Sequence, residues 1–225
     1  MPVSVALVEA EIRRRTDTDR KMAFGEYIIW MVVLSIVTLG IGAAIYAWVA
    51  QYRLVDRRSQ HFARQQSLYR SVIRTVREHG EDNKNDKVLA TVDRAEALLN
   101  EATIREPERN PWLFAIILPI VTLGIGSWYT LWFLTVDWRR HSVRQRELGD
   151  VIGEALRQAT GKSVALVDES IVPERNFWLY LLLTFVTLGL FGLYWWYVIF
   201  EDPNKHFAQQ AFVEDQMVSY LRALA

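Results

Sequence analysis

One short string occurs three times in this chain, each time inside an apolar run, and it limits the possible folds more than any other feature. The copies are Ile36-Val37-Thr38-Leu39-Gly40-Ile41-Gly42, Ile120-Val121-Thr122-Leu123-Gly124-Ile125-Gly126 and Phe185-Val186-Thr187-Leu188-Gly189-Leu190-Phe191-Gly192, the last with its second glycine one place later. The surrounding runs, residues 27–50, 112–136 and 177–200, contain no Asp, Glu, Lys, Arg or His. Each has the length of a single transmembrane helix, about 20 residues or slightly more.

The likeness extends beyond the string. Ser4 to Ile12 resembles Ser163 to Ile171, and Glu108-Arg109-Asn110 before the second run matches Glu174-Arg175-Asn176 before the third. After the runs, His61-Phe62-Ala63-Arg64-Gln65-Gln66 matches His206-Phe207-Ala208-Gln209-Gln210, and the middle copy keeps His141 and Gln145. Three units follow, 1–80, 81–160 and 161–225, the first boundary lying at the polar stretch that begins with Gly80. Outside the apolar runs the periodicity is helical. Phe62, Leu68, Tyr69, Val72, Ile73 and Val76 share one side, as do Val88, Val92, Ala95, Leu99 and Ala102, and then Val143, Leu148, Val151, Ile152 and Leu156. Val164 to Ile171 reads as a third leading segment, and Glu201-Asp202-Pro203 as a stop before a last helix from about Lys205 to Leu224.

The sequence thus predicts an all-α integral membrane protein of three repeats. Each repeat is an apolar helical hairpin, or alternatively a single span, with amphipathic cytoplasmic helices attached. Charge favours the hairpin. Arg13, Arg14, Arg15, Arg20 and Lys21 precede the first run and Arg53, Arg57 and Arg58 follow it; Arg139, Arg140, Arg144 and Arg146 follow the second. Basic residues at both ends prefer one side of a membrane, so the run should return to the side it left. The tip would then be Thr38, Gly40 and Gly42, with Thr122, Gly124 and Gly126, and Thr187, Gly189 and Gly192, as its counterparts. Glycine closes the turn, and threonine bonds a carbonyl of the first limb or caps the second. Arg53, Arg57, Arg58, Arg139 and Arg140 read as contacts to lipid head groups. The expected location is the cell membrane, multi-pass or re-entrant, with the amphipathic helices in the cytoplasm. No cleavable leader is expected, because Val3 to Val8 is too short an apolar stretch.

Composition excludes several activities. The 26 basic and 26 acidic residues cancel, so no net field points to nucleic acid. The absence of cysteine removes disulfides, thiolate metal sites and cysteine nucleophiles. Runs without ionisable groups argue against coupled transport and against an intramembrane enzyme. Gly161-Lys162-Ser163 lacks the earlier glycine of a phosphate loop, Leu156 standing in its place. Three of the four histidines, His61, His141 and His206, recur at comparable distances from their threonines, with Asp56, Asp137 and Asp202 four or five residues before them. Three imidazoles around one axis could bind a metal. The reading favoured from sequence is an Asp–His pair capping each outgoing helix, repetition alone explaining the matched positions. No cofactor and no metal are therefore expected.

Residues 186–197, Val-Thr-Leu-Gly-Leu-Phe-Gly-Leu-Tyr-Trp-Trp-Tyr, with the polar exit Asp202-Pro203-Asn204, resemble the core of a family of small prokaryotic membrane proteins of unknown function. The first two repeats keep Thr-Leu-Gly-Ile and depart from it at Ile41-Gly42-Ala43 and Ile125-Gly126-Ser127. The resemblance implies a membrane location and no chemistry. The expected role is that of a non-enzymatic, membrane-embedded scaffold that associates with itself or with other membrane proteins and shapes the bilayer it contacts. The alternative is an oligomeric channel or small-solute pore lined by the three threonines.

Overall fold

The computed structural model describes residues 3–162, 164, 166 and 172–224. The segment Ser163 to Ile171, read above as a third leading helix, therefore lies largely outside the described residues. Two short helices, α1 (Val3–Arg13) and α2 (Arg15–Thr18), lead into a hairpin of α3 (Phe24–Val37) and α4 (Ile41–Asp82). After α5 (Asp86–Arg105), a π-helical turn, Leu113–Ile117, runs into α6 (Leu118–Val121), and α7 (Ile125–Thr160) completes the second hairpin. The third pairs α8 (Phe177–Val186) with α9 (Leu190–Arg222).

Every repeated string is a turn, and the same hydrogen bonds close all three. Thr38 Oγ1 donates to the Leu34 carbonyl and accepts from the Gly42 amide, both at 2.6 Å. Thr122 bridges Leu118 and Gly126 in the same way, and Thr187 bridges Leu183 and Phe191. One hydroxyl thus satisfies an orphan carbonyl of the incoming helix and an orphan amide of the outgoing one. Leu39 and Gly40 have φ of 51° and 91°, two successive left-handed residues that reverse the chain. Glycine adopts that angle without strain and leucine does not.

The outgoing helices α4, α7 and α9 pack against one another around a central axis. Far from the turns, Leu68, Val72, Val76, Val92, Leu99, Ile152, Leu156, Met217 and Leu221 form a core shared by α4, α5, α7 and α9, with Val5 and Val8 of α1. Full burial of such side chains contributes about 1.5–3 kcal/mol each. Nearer the turns lies an aromatic core that includes Tyr27, Phe133, Phe177, Trp195 and Phe200. The ring is closed by Asn204 of α9, which accepts from the Met22 amide and donates to the Met22 carbonyl just ahead of α3. The first hairpin is the tallest: His61 follows the first residue of α4 by 20 positions, whereas His141 and His206 follow the first residues of α7 and α9 by 16.

Three expectations need correction. No helix among the described residues is long and apolar enough to cross a membrane, which overturns the integral-membrane fold class and the multi-pass or re-entrant location. The cause is the turn. It divides each apolar run, leaving incoming limbs of 14 residues, 5 plus 4 residues, and 10 residues. Even the longest is about 21 Å of helix, against a hydrocarbon core of about 30 Å. Secondly, Pro203 does not stop the third run, and α9 continues through it to Arg222. A proline inside a helix costs about 3 kcal/mol, and here its buried ring and the packed flanks of α9 offset that. Thirdly, Gly80 lies within α4, and the chain turns three residues later, at Asn83 and Lys84. The amphipathic stripes face inward as predicted, with Ala102 and Val143 only half-buried.

Candidate docking end and the buried histidine layer

The hairpin turns present leucine to the outside. Leu39, Leu123 and Leu188 are 93%, 94% and 95% exposed, and each has a left-handed φ of 51°. Ile36, Val37, Ile41, Ile120, Val121, Ile125, Phe185, Val186 and Leu190 are exposed around them. Between α3 and the third turn runs an apolar groove of about 490 Å³, lined by Ile28, Met31, Ile36, Gly189, Leu193 and Trp196. Below the turns come exposed rings: Trp30, Trp112, Tyr129, Trp178, Tyr194 and Tyr197. Lower still, Arg53, Arg140 and Lys205 are exposed.

The glycines of the motif do different work. Gly40, Gly124 and Gly189 hold left-handed angles with open space beside them. Gly42 and Gly126 are places of close approach, where a β-carbon would lie 2.8 Å from Thr38 Oγ1 and 2.7 Å from the Leu118 backbone carbon. In the third repeat Phe191 occupies the equivalent place, and Gly192 faces the Thr184 methyl at an ordinary 3.4 Å.

The arginines expected at head groups divide. Arg53 and Arg140 are exposed, and the Arg139 guanidinium donates to the Val172 carbonyl. Arg57 and Arg58 are buried, which removes them from any surface contact. Arg57 donates to the Phe200 carbonyl and to Asn204 Oδ1. Arg58 pairs with Asp137 at 2.7 Å and lies 4.4 Å over the Phe62 ring. A buried guanidinium is tolerated only with such partners.

One turn beyond this level, His61, His141 and His206 converge from α4, α7 and α9. Their ring centroids are 5.3, 5.4 and 5.6 Å apart, and all three residues are at most 2% exposed. Their potential ligand atoms lie within 4.8 Å of one another. The Asp–His capping pairs expected from sequence do not form. His61 Nδ1 instead bonds Asp19 Oδ1 at 2.8 Å, and His141 Nδ1 bonds Glu106 Oε2 at 2.8 Å. Asp137 and Asp202 pair with Arg58 and Arg175, and Asp56 accepts from Gln60. Asp19 and Glu106 each lie in the segment just ahead of an incoming limb. Arg64 secures Asp19 at 2.7 Å and the buried Glu214 at 2.8 Å, and Arg144 secures Glu106 at 2.6 Å.

Burial pushes the His61 imidazole down to about 4, against the pull of Asp19, so its ring is neutral near pH 7. Burial works against the Glu106 carboxylate, but His141 and Arg144 outweigh it and hold it at about 2. The Nε2 atoms of His61 and His141 are buried and meet no hydrogen-bond partner among the described residues. Trp138 covers one side of the triad, its ring 5.6–6.3 Å from all three imidazoles. One turn further along each helix stand Gln65, Gln145 and Gln210, all buried. The Gln210 amide donates to Gln65 at 3.2 Å, whereas neither polar atom of the Gln145 side chain has a partner.

Among known protein families, residues 175–222 match DUF4234, a domain of unknown function. The matched stretch is the third hairpin from Arg175 to the end of α9, and the match brings no activity with it. No curated protein and no solved structure matches the chain.

Proposed function

We propose that this chain is a helical scaffold that docks to an apolar partner surface through the uncharged end of its three hairpins. The observation that carries this reading is the trio Leu39, Leu123 and Leu188, each held outward in a conformation unfavourable to leucine. Asparagine or glycine would close the same turns at lower conformational cost. Strain repeated at three exposed sites points to use at those sites. Covering three leucines is worth roughly 5–9 kcal/mol before the costs of association.

The partner that fits is a lipid–water boundary contacted from one side, with no helix crossing it. Amphipathic aromatic rings suit such a boundary, and the exposed Arg53, Arg140 and Lys205 lie where anionic head groups would be. A pore lined by threonine finds less support, because the three hydroxyls both donate and accept within their own turns.

Flotation of the purified chain with phosphatidylcholine vesicles, with and without an anionic lipid, tests the reading. The chain is expected to float with both, more strongly with the anionic ones. The combined variant Leu39→Asp, Leu123→Asp, Leu188→Asp should remain in the aqueous fraction. Failure of the unaltered chain to float, or flotation of the triple variant at the same level, overturns it. A lipid-free dimer that hides the turns, with no flotation, would assign the surface to a second copy.

A further inference from the structure

We propose that His61, His141 and His206 form a binding site for one divalent cation of the zinc class, each contributing one imidazole nitrogen. Neutral imidazoles are borderline donors, suited to zinc and its first-row neighbours and unsuited to calcium or magnesium.

The spacing is close to what such an ion needs. For atoms no more than 4.8 Å apart, a common centre lies within about 2.8 Å of each, whereas a Zn–N bond is about 2.0–2.1 Å. Rotation of the rings that brings each nitrogen inward by about 0.7 Å closes the difference. The triad is also oriented as ligands are. A metal-bound imidazole as a rule donates its other N–H to a carboxylate or carbonyl, which fixes the tautomer and aims the free nitrogen. His61 and His141 have this arrangement through Asp19 and Glu106, and both carboxylates are themselves anchored by arginine. The nitrogens left over, Nε2 of His61 and His141, are buried without a hydrogen bond. An unsatisfied buried acceptor is destabilising, and a cation removes that penalty.

Three protein donors leave a fourth position. Trp138 blocks one side of the triad, so that position faces the glutamine layer, where Gln145 has an unpartnered amide. Because one ligand comes from each repeat, the ion would tie α4, α7 and α9 together at the level where the two cores meet. Such a tie adds stability in proportion to how tightly the folded chain binds the ion. Repetition alone places the histidines at matching positions. It does not dictate that Asp19 and Glu106, from dissimilar local sequences, should both be carboxylates anchored by arginine.

The test uses the full chain, stripped with a chelator and titrated first with Co²⁺ and then with Zn²⁺. One equivalent is expected to bind, Co²⁺ giving visible absorption of a four-coordinate nitrogen-rich site that Zn²⁺ then abolishes. His141→Ala and His206→Gln should weaken binding at least 100-fold. Asp19→Asn should weaken it roughly 10–100-fold, as expected of a partner that aims a ligand. His79→Ala, outside the cluster, should leave it unchanged. Far-ultraviolet circular dichroism and a cooperative urea transition, both recorded on the metal-free chain, show that each variant is folded. Absence of stoichiometric uptake by the unaltered chain overturns the proposal. So does unchanged affinity in a folded His141→Ala or His206→Gln variant. Either result leaves the docking reading untouched.

Discussion

Leu39, Leu123 and Leu188 illustrate a conflict between stability and use at the scale of a residue. Each stands at a left-handed φ, where an L side chain costs about 1–2 kcal/mol, and each exposes nearly its whole side chain. Replacing all three with asparagine, which tolerates that angle, should raise the unfolding free energy by about 1–3 kcal/mol in total while weakening vesicle flotation. Urea denaturation and flotation of the same sample check both halves. The motif glycines separate in the same way. Gly126→Ala forces a β-carbon against the Leu118 backbone and should destabilise by about 1–3 kcal/mol. Gly149→Ala, inside α7 with nothing within 4 Å, should stabilise by about 0.5–1 kcal/mol. At this scale the threonine was legible, since a hydroxyl beside a reversing glycine has few other tasks. The histidine partners were not. Asp56, Asp137 and Asp202 are close in sequence, but a guanidinium next to two of them, the buried Arg58 and the half-buried Arg175, competes better for the carboxylate. Asp19 and Glu106 reach their histidines across 42 and 35 residues of chain.

Helix boundaries were legible where a turn imposes them and illegible where packing overrides local preference. The repeated string marks three reversals, and Gly161, at φ 66°, ends α7 in the left-handed conformation that glycine supplies at helix ends. Pro203 and Gly80 look like boundaries, yet both lie inside long helices whose apolar faces are buried on either side. Pro119 has a subtler effect. Its ring would press on the carbonyl four residues back, and the preceding Leu113–Ile117 segment relaxes into a wider π-helical turn. Thr130 of α7 then donates to the Phe114 carbonyl of that turn at 2.6 Å. The contact between the second and third hairpins includes a Trp195 indole N–H bonded to Thr135 Oγ1 at 2.9 Å. Thr135→Val should cost about 1–3 kcal/mol by leaving that donor buried and unpaired, measurable as a lower denaturation midpoint. Asn204→Ala should cost a similar amount, since it frees the Met22 backbone and one contact of the buried Arg57 together.

Three chain reversals were readable from the string alone; the closure of the hairpins into a ring was not, because the joining groups, Asn204 with Met22 and Arg222 with Glu9, lie outside the repeated string. Open repeat arrays unfold piecemeal, each unit touching only its neighbours. Here α1 packs on α9, Arg222 bonds Glu9, and one core draws on α1, α4, α5, α7 and α9. The chain is therefore expected to melt as one unit, with calorimetric and van't Hoff enthalpies equal within error. Two well-separated transitions would show that the ring is weaker than its hairpins. The extra helical turn in the first hairpin has a consequence of its own. A body resting on three feet, one of them about 6 Å longer than the others, leans away from the long foot. Against any flat support, the bundle below would stand oblique, and its far end would always point to the same side.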